Sequence, residues 1–446
     1  MAHPLVKEMD SLIGGLSSRG FGAGRVSRAD SHCIVTWPQS EAAAPMDGES
    51  VFAGGLRAKK IALYFHVPFC AGRCRYCHYS IVANPQAGMV EKYLRALGKE
   101  MELVSEIPGV REAEVVSAYV GGGTPTFLEP RQLRGLLGKI RELFNVRGEF
   151  IVESSPETLT GTTGHKRLAE LLDAGVNRLS MGVQSFDDRV LSFAGRRHDR
   201  AGAIEAIGAA SSAGLGNMNV DLIMGLPHQG LEVFEKDVET AAGLGVPSIT
   251  AYSLTLRPEA SFYGLYSQAP AAFPSDAECL AMHALAMDKL DALGYREYPV
   301  WWFTKSDKAV YQGDVFKWRD NGEMIGMGVG TYSFANNWQY FNHHSVADYV
   351  KTVESGRLPV WKAARISDRH ELAKRNLIMG IRCGIDKATF AKKYGPVLEE
   401  DFKGMLGELE ESGLIADDRK EITLTKTGRL VAEKVSWFIA EKTTGK

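Results

Sequence analysis

The sequence predicts an α/β protein built on a partial (β/α)6 TIM-like barrel, preceded by an N-terminal extension and followed by a smaller helical domain. Three observations carry this expectation. From residue 60 onward, short β-branched apolar runs alternate with amphipathic helical stretches, the signature of repeated βα units on a parallel sheet. Six such units follow one another without an antiparallel interruption, which suits a partial barrel better than a doubly wound sheet. The chemically unusual residues cluster just beyond the ends of these runs, where parallel sheets of this kind carry their sites. At 446 residues, 45% apolar and 24% charged, the chain can bury such a core and one or two smaller units besides.

The elements follow in order. Residues 1–58 are rich in Gly, Ser, Ala and Pro, end in DGESVFAGGLRAKK, and read as an extension or lid. Residues 59–300 hold the barrel, with strands expected at 60–67 (KIALYFHV), 115–122, 149–154, 177–184, 217–225 and 248–256. Helical stretches such as MVEKYLRALGKEMELVSEI and AGAIEAIGAASSAG separate them. Residues 301–365 turn aromatic and Gly-rich (YPVWWFTK, MIGMGVGTYSFANNWQYFN) and read as an extension completing a substrate pocket. Residues 366–446 read as helices with a short strand pair, a winged-helix-like pattern taken as a cap on the barrel rather than a DNA reader.

A formal charge of −2 argues against a surface built to hold nucleic acid or anionic lipid by counterion release. Lys7, Glu8 and Asp10 interrupt the N-terminal apolar positions, so no signal-peptide core forms, and no run approaches the roughly 18 apolar residues of a membrane span. The expectation is a soluble, cytoplasmic protein with no nucleic-acid or membrane partner. Six cysteines are sparse for this length. Three of them crowd into one loop instead of spreading as a disulfide framework.

That loop lies in YFHVPFCAGRCRYCHYS, residues 64–80, where Cys70, Cys74 and Cys77 are spaced four and three apart with no fourth cysteine. Soft thiolates select iron-sulfur clusters or zinc. Three of them can hold three irons of a 4Fe-4S cluster and leave the fourth open to substrate; alternatively, His66 or His78 could complete a Cys3His zinc site. Position favours the cluster, because the cysteines directly follow the first barrel strand and Pro68 and Gly72 make the loop irregular.

CxxxCxxC after the first strand of a βα barrel resembles the radical S-adenosylmethionine (SAM) superfamily. More narrowly, YFHVPFC, YVGGGTPTFL, GVNRLSMGVQSFDDRVLSFAGRRH and NVDLIMGLPHQ are similar to motifs of its HemN-like branch, and the likeness runs over most of residues 60–430. The resemblance implies a 4Fe-4S cluster on Cys70, Cys74 and Cys77, with SAM chelated by the open iron and cleaved to a 5′-deoxyadenosyl radical by an electron from a flavodoxin- or ferredoxin-like donor. It implies that Gly121, Gly122, Gly123 and Thr124 receive the SAM amino group, and that Glu153, Gln184, Arg196 and Asp221 contact SAM. An arginine fork suits a carboxylate, and an acidic group suits ribose hydroxyls. Tyr64, on the same strand face as His66, is implied to touch SAM and joins the three cysteines in the catalytic set. His66 and His78 pack near the cluster. Tyr332 and Trp318 are candidate substrate contacts, near Asn342 in a segment similar to the branch's second pocket.

Three departures direct the functional expectation, one of them an N-terminal extension, residues 1–58, longer than the haem chaperones of the branch lead one to expect. Tyr79 stands where the branch's oxygen-independent coproporphyrinogen III dehydrogenase carries an additional cysteine, and QGDVFKW keeps only Trp318 of the H-N-x-x-Y-W motif of the haem chaperones. The resemblance then points to the class C methyltransferases and cyclopropanases, in which a second SAM donates a methyl or methylene group to an sp2 carbon of a small-molecule substrate. The alternative is tetrapyrrole chemistry: coproporphyrinogen oxidation or haem handling.

Overall fold

A computed structural model describes residues 3–21 and 34–442; Cys33 lies outside them. Its centre is a 13-stranded mixed sheet. The six expected strands form as β1 (Lys60–Val67), β2 (Glu114–Gly122), β3 (Val146–Ser154), β4 (Arg178–Gln184), β5 (Met218–Met224) and β6 (Ser248–Ser253), each parallel to the next. The helices expected between them form as Met89–Ser105 and Arg200–Ala213. β6 stops earlier than the apolar run SITAYSLTL suggests: its pairing with β5 ends at Met224 and Ser253, and Leu254 N–H makes the last bond of that ladder, to the Met224 carbonyl at 2.8 Å.

Alternation divides each strand between two environments. Ile61, Leu63, Phe65 and Val67 of β1 are at most 1% exposed and face the helical layer, as do Val120, Phe150 and Val152. The other face is polar. Arg178 reaches across to Ser248 Oγ at 3.3 Å and lies 3.5 Å from Glu149, Ser248 and Thr250 both donate to Asn219 Oδ1, and Ser180 donates to Asp221. Contacts that skip from β4 to β6 are possible only on the concave side of a curved sheet. The barrel interior is therefore a hydrogen-bonded polar column, and burying those groups is tolerable because most of them find partners; Glu149 Oε1 has only the Arg178 charge beside it.

The segment after residue 300 does more than line a pocket. β7 (Trp302–Thr304) pairs antiparallel with β6, and the short helix Gln312–Trp318 presents Gly313 N–H to Glu149 at 3.2 Å. β8 (Glu323–Met327) then adds a seventh parallel strand, on the free side of β1. β9 (Tyr332–Ala335), β10 (Trp338–Asn342) and β11 (Val360–Arg365) continue the sheet antiparallel. Of residues 1–58, helix Pro4–Ser17 buries Val6, Met9 and Leu16 and packs on helix Asp276–Ala292, while Ala44–Pro45 pairs with β11. Residues Arg369–Lys442 form helices around a three-stranded antiparallel sheet, one strand more than the expected pair. Among the described residues no helix is long and apolar enough to cross a membrane.

Candidate active site

The cysteine loop is fastened where β1 and β2 end. Gly123 N–H donates to the Val67 carbonyl (2.8 Å) and Thr124 N–H to the Phe69 carbonyl (2.9 Å). A Cβ on Gly123 would come within 2.7 Å of that Phe69 carbonyl, so only glycine permits the approach. Val82 and Asn84 donate to the Pro68 and Cys70 carbonyls at 2.7 and 3.0 Å, closing residues 70–84 into a hoop. Cys70, Cys74 and Cys77 are free and half-buried on it. Thr124 Oγ1 lies 3.6 Å from Cys70 Sγ, and Arg196 Nη1 donates to Cys74 Sγ at 3.4 Å.

Burial pushes the Cys70 thiol up to about 11 and raises that of Cys77, with the neighbouring thiols adding to the cost of charging either one. Ligation needs thiolates, and a cationic group at the hoop would offset that cost. The histidine that could close a zinc tetrahedron is engaged elsewhere. His66 Nε2–H donates to the Ser80 carbonyl at 3.0 Å, which leaves Nδ1 to accept from the Tyr64 hydroxyl at 3.2 Å. Burial lowers its pKa to about 4, so it is a neutral, positioned ring. His78 lies against Tyr79 at 4.6 Å between centroids, and among the described residues no three His, Cys, Asp or Glu converge as ligands of a single ion. The donor set is three thiols on a fastened hoop, which fits a cluster with one open iron.

Around the hoop the strand ends bring most of the expected residues together. Gly122, at φ +111°, would drive a Cβ to 2.4 Å from His66 Cε1; its absence lets the imidazole lie on the β2 backbone. Glu153 accepts from Gly122 N–H (2.9 Å) and the Tyr119 hydroxyl (2.7 Å), and burial raises its pKa despite both bonds. Tyr64 stacks on Tyr119 at 5.8 Å. Gln184 holds φ +75° at a register shift in β4, a conformation that costs of order 1–3 kcal/mol and gathers at functional sites.

Two expected contacts sit differently from what a bare fork-and-carboxylate picture suggests. The two Arg196 Nη atoms go to the Gly182 carbonyl, Ser155 Oγ, Tyr76 and Cys74. Its Nε is buried without a hydrogen-bond partner, leaving one donor aligned with no protein acceptor. Asp221 lies deeper, held by Ser180 (3.2 Å) and Asn219 (2.7 Å), with its pKa lifted to about 7 by burial and by Glu153. The sequence reading did not single out Tyr119, Ser155, Glu157 or the Arg178–Ser180–Asn219 column. Ser155 and Glu157 bracket Arg196, and Glu157 stays near 2 in spite of burial because His198, Arg196 and Ser155 hold its charge. Their one signal was the polar alternation of Arg178, Ser180, Gly182 and Gln184 along β4.

This barrel, with its three-thiol hoop after the first strand, defines a protein of the radical SAM type. Residues 64–241 match the radical SAM superfamily and residues 368–431 the HemN C-terminal domain. The heme chaperone HemW of Bacillus subtilis is 30% identical across 83% of this chain and 97% of its own length. The oxygen-independent coproporphyrinogen III oxidase of Pseudomonas aeruginosa is 28% identical across 84% of each chain. Coproporphyrinogen III oxidase HemN from Escherichia coli has the same fold, with a TM-score of 0.80 at 24% identity over 92% of this chain and 97% of that one. The chain belongs to the HemN-like branch of the radical SAM superfamily, whose members carry a 4Fe-4S cluster and SAM.

These relatives overturn the expectation of methyl or methylene transfer. They match along more than four fifths of the chain and bear haem and porphyrinogen names, not those of a methyltransferase or cyclopropanase. Two of the departures behind that expectation, Tyr79 and the QGDVFKW stretch, are confined to one loop position and one seven-residue helix. Such local changes do not by themselves point to a different reaction.

Proposed function

We propose that this protein handles haem in the manner of a haem chaperone, with a radical SAM centre at the mouth of its barrel. The observation that carries the choice over porphyrinogen oxidation is the charge at that mouth. A coproporphyrinogen has four carboxylates and calls for several cations around it. The side chains gathered here are Tyr64, Tyr119, Tyr252, Glu153 and Asp221; Arg196 is already engaged by Gly182, Ser155 and Cys74, and at the hoop Arg73 and Arg197 are turned to the backbone carbonyls of Glu259, Ile81 and Ala71. A tetracarboxylate would meet tyrosines and acidic groups, with the neighbouring guanidiniums turned to protein acceptors.

In this reading Cys70, Cys74 and Cys77 hold the cluster. Gly122, Gly123 and Thr124 line the approach for the SAM amino group, and Arg196 Nε offers its remaining donor to the SAM carboxylate. Glu153, already fixed by Gly122 and Tyr119, and Gln184 border the same space, with Tyr64 oriented by neutral His66. When bound, the cluster and SAM supply one-electron cleavage of a carbon–sulfur bond, using an electron from a flavodoxin- or ferredoxin-like donor.

The test compares two outcomes on one preparation. Cluster-loaded, reduced protein with SAM is offered coproporphyrinogen III, and separately ferric haem. The reading expects saturable haem binding and no decarboxylated porphyrinogen by mass spectrometry; porphyrinogen turnover without haem binding would reverse the assignment.

A further inference from the structure

We propose that a solvent-facing platform formed by His344, Trp361 and Lys362, beside the cysteine hoop, takes the haem, with His344 as a ligand to its iron. The proposal rests on the haem reading above and gives it a site. Four observations converge on these residues.

Trp361 is 41% exposed, one of the few large apolar side chains that the described surface leaves open. A flat indole open to solvent suits a flat macrocycle. His344 stands edge-on to it, 5.4 Å between centroids at 82°, is exposed, and makes no hydrogen bond to another described residue. Partial burial and the nearby Lys362 and His343 lower its pKa below the usual value, so at neutral pH the ring keeps a lone pair, the form that ligates iron. Lys362 Nζ lies 4.4 Å over the same indole and 5.8 Å from the Phe341 ring, placed to meet a haem propionate at the edge of a stacked macrocycle.

The fourth observation is location. His344 covers Gly330, whose φ of +68° and missing Cβ admit both the imidazole and Ser80 Oγ; a Cβ there would meet Ser80 at 2.8 Å and His344 Nδ1 at 3.4 Å. Ser80 in turn accepts from His66, and Tyr79, 59% exposed, precedes it directly. The platform is thus continuous with the hoop that carries Cys77, and it is open. A carrier that must surrender its cargo needs such a site, where an acceptor can reach the second face of the iron; the deep, closed pocket of a permanent haem protein would block that exchange.

The test titrates ferric haem anaerobically into cluster-loaded wild-type protein and the His344→Gly, His343→Gly and Trp361→Ala variants, following the Soret difference band and the ferric haem electron paramagnetic resonance signal. Wild type should bind saturably with the signal of a nitrogen-ligated iron. His344→Gly should weaken binding at least about tenfold and lose that signal, with free imidazole restoring it. His343→Gly should behave as wild type, and Trp361→Ala should weaken binding while keeping the signal. Undiminished affinity and an unchanged signal in His344→Gly, or loss in His343→Gly instead, would overturn the site and leave the haem reading standing. Failure of wild type to bind haem would overturn both. Unchanged cluster absorbance and thermal midpoint in the variants separate the effect from misfolding.

Discussion

At the scale of single residues, the site depends on missing atoms as much as on present ones. Gly122 has no side chain because His66 occupies the space where one would begin, and the residue also holds a positive φ. Gly122→Ala should therefore displace the imidazole, release Tyr64 and cost about 1–3 kcal/mol in strain. Chemical denaturation together with SAM affinity would register both; an unperturbed variant would mean that the β2 end is softer than its contacts imply. Cys74 contributes in the opposite way, by adding a sulfur that accepts from the Arg196 guanidinium at 3.4 Å. Cys74→Ala should abolish cluster loading, measured as iron and labile sulfide per chain, while far-ultraviolet circular dichroism stays native. Iron content equal to wild type would remove this residue from the ligand set.

At the scale of elements, helix Met89–Ser105 ties the barrel to its late-arriving strands through one carboxyl. Glu100 is 2% exposed and accepts from Gly328 N–H, Asn342 and the Tyr349 hydroxyl, fixing the turn after β8 beneath His66. Burial nevertheless raises its pKa to about 7. Because the folded value lies above the unfolded one, the folded state binds the proton more tightly. The associated stability is then complete below about pH 4.5 and is lost as pH rises through about 7, by roughly 3 kcal/mol from a shift of this size. Unfolding free energies measured between pH 5 and 8 should fall with pH more steeply in wild type than in Glu100→Gln, and parallel curves would show that Glu100 titrates normally.

The same elements show what the sequence could reveal. β1 to β6 were legible because their helix-facing positions supply short apolar runs, such as Ile61, Leu63, Phe65 and Val67, set between amphipathic helical stretches. β8 was not: EMIGM is five residues long, contains a glycine, and follows a helix of only seven residues, so no βα period announces it. The cysteine hoop and the glycine run were legible as motifs. The Arg178–Ser248–Asn219 column and the Ser155–Glu157–His198 support of Arg196 are assembled from residues far apart in the chain, and spacing alone cannot pair them.

At the scale of the whole molecule, the barrel, its antiparallel continuation and the C-terminal domain share one large apolar core, with a smaller cluster of Ile223, Leu226, Leu254 and Phe262 beside the ends of β5 and β6. The chemistry-bearing residues are confined to the strand ends, and the open aromatic face lies beside them. That arrangement is suited to a protein whose radical SAM centre serves a cargo held at the surface. The central claim is haem handling, and the most direct measurement is transfer: haem-loaded, cluster-containing protein is mixed with an excess of an apo-haemoprotein, and the acceptor's own absorbance is followed with time. The account predicts that haem leaves this protein for the acceptor at a rate that SAM and reductant change. Haem that never transfers, or transfers no faster than free haem released to solvent, would contradict it.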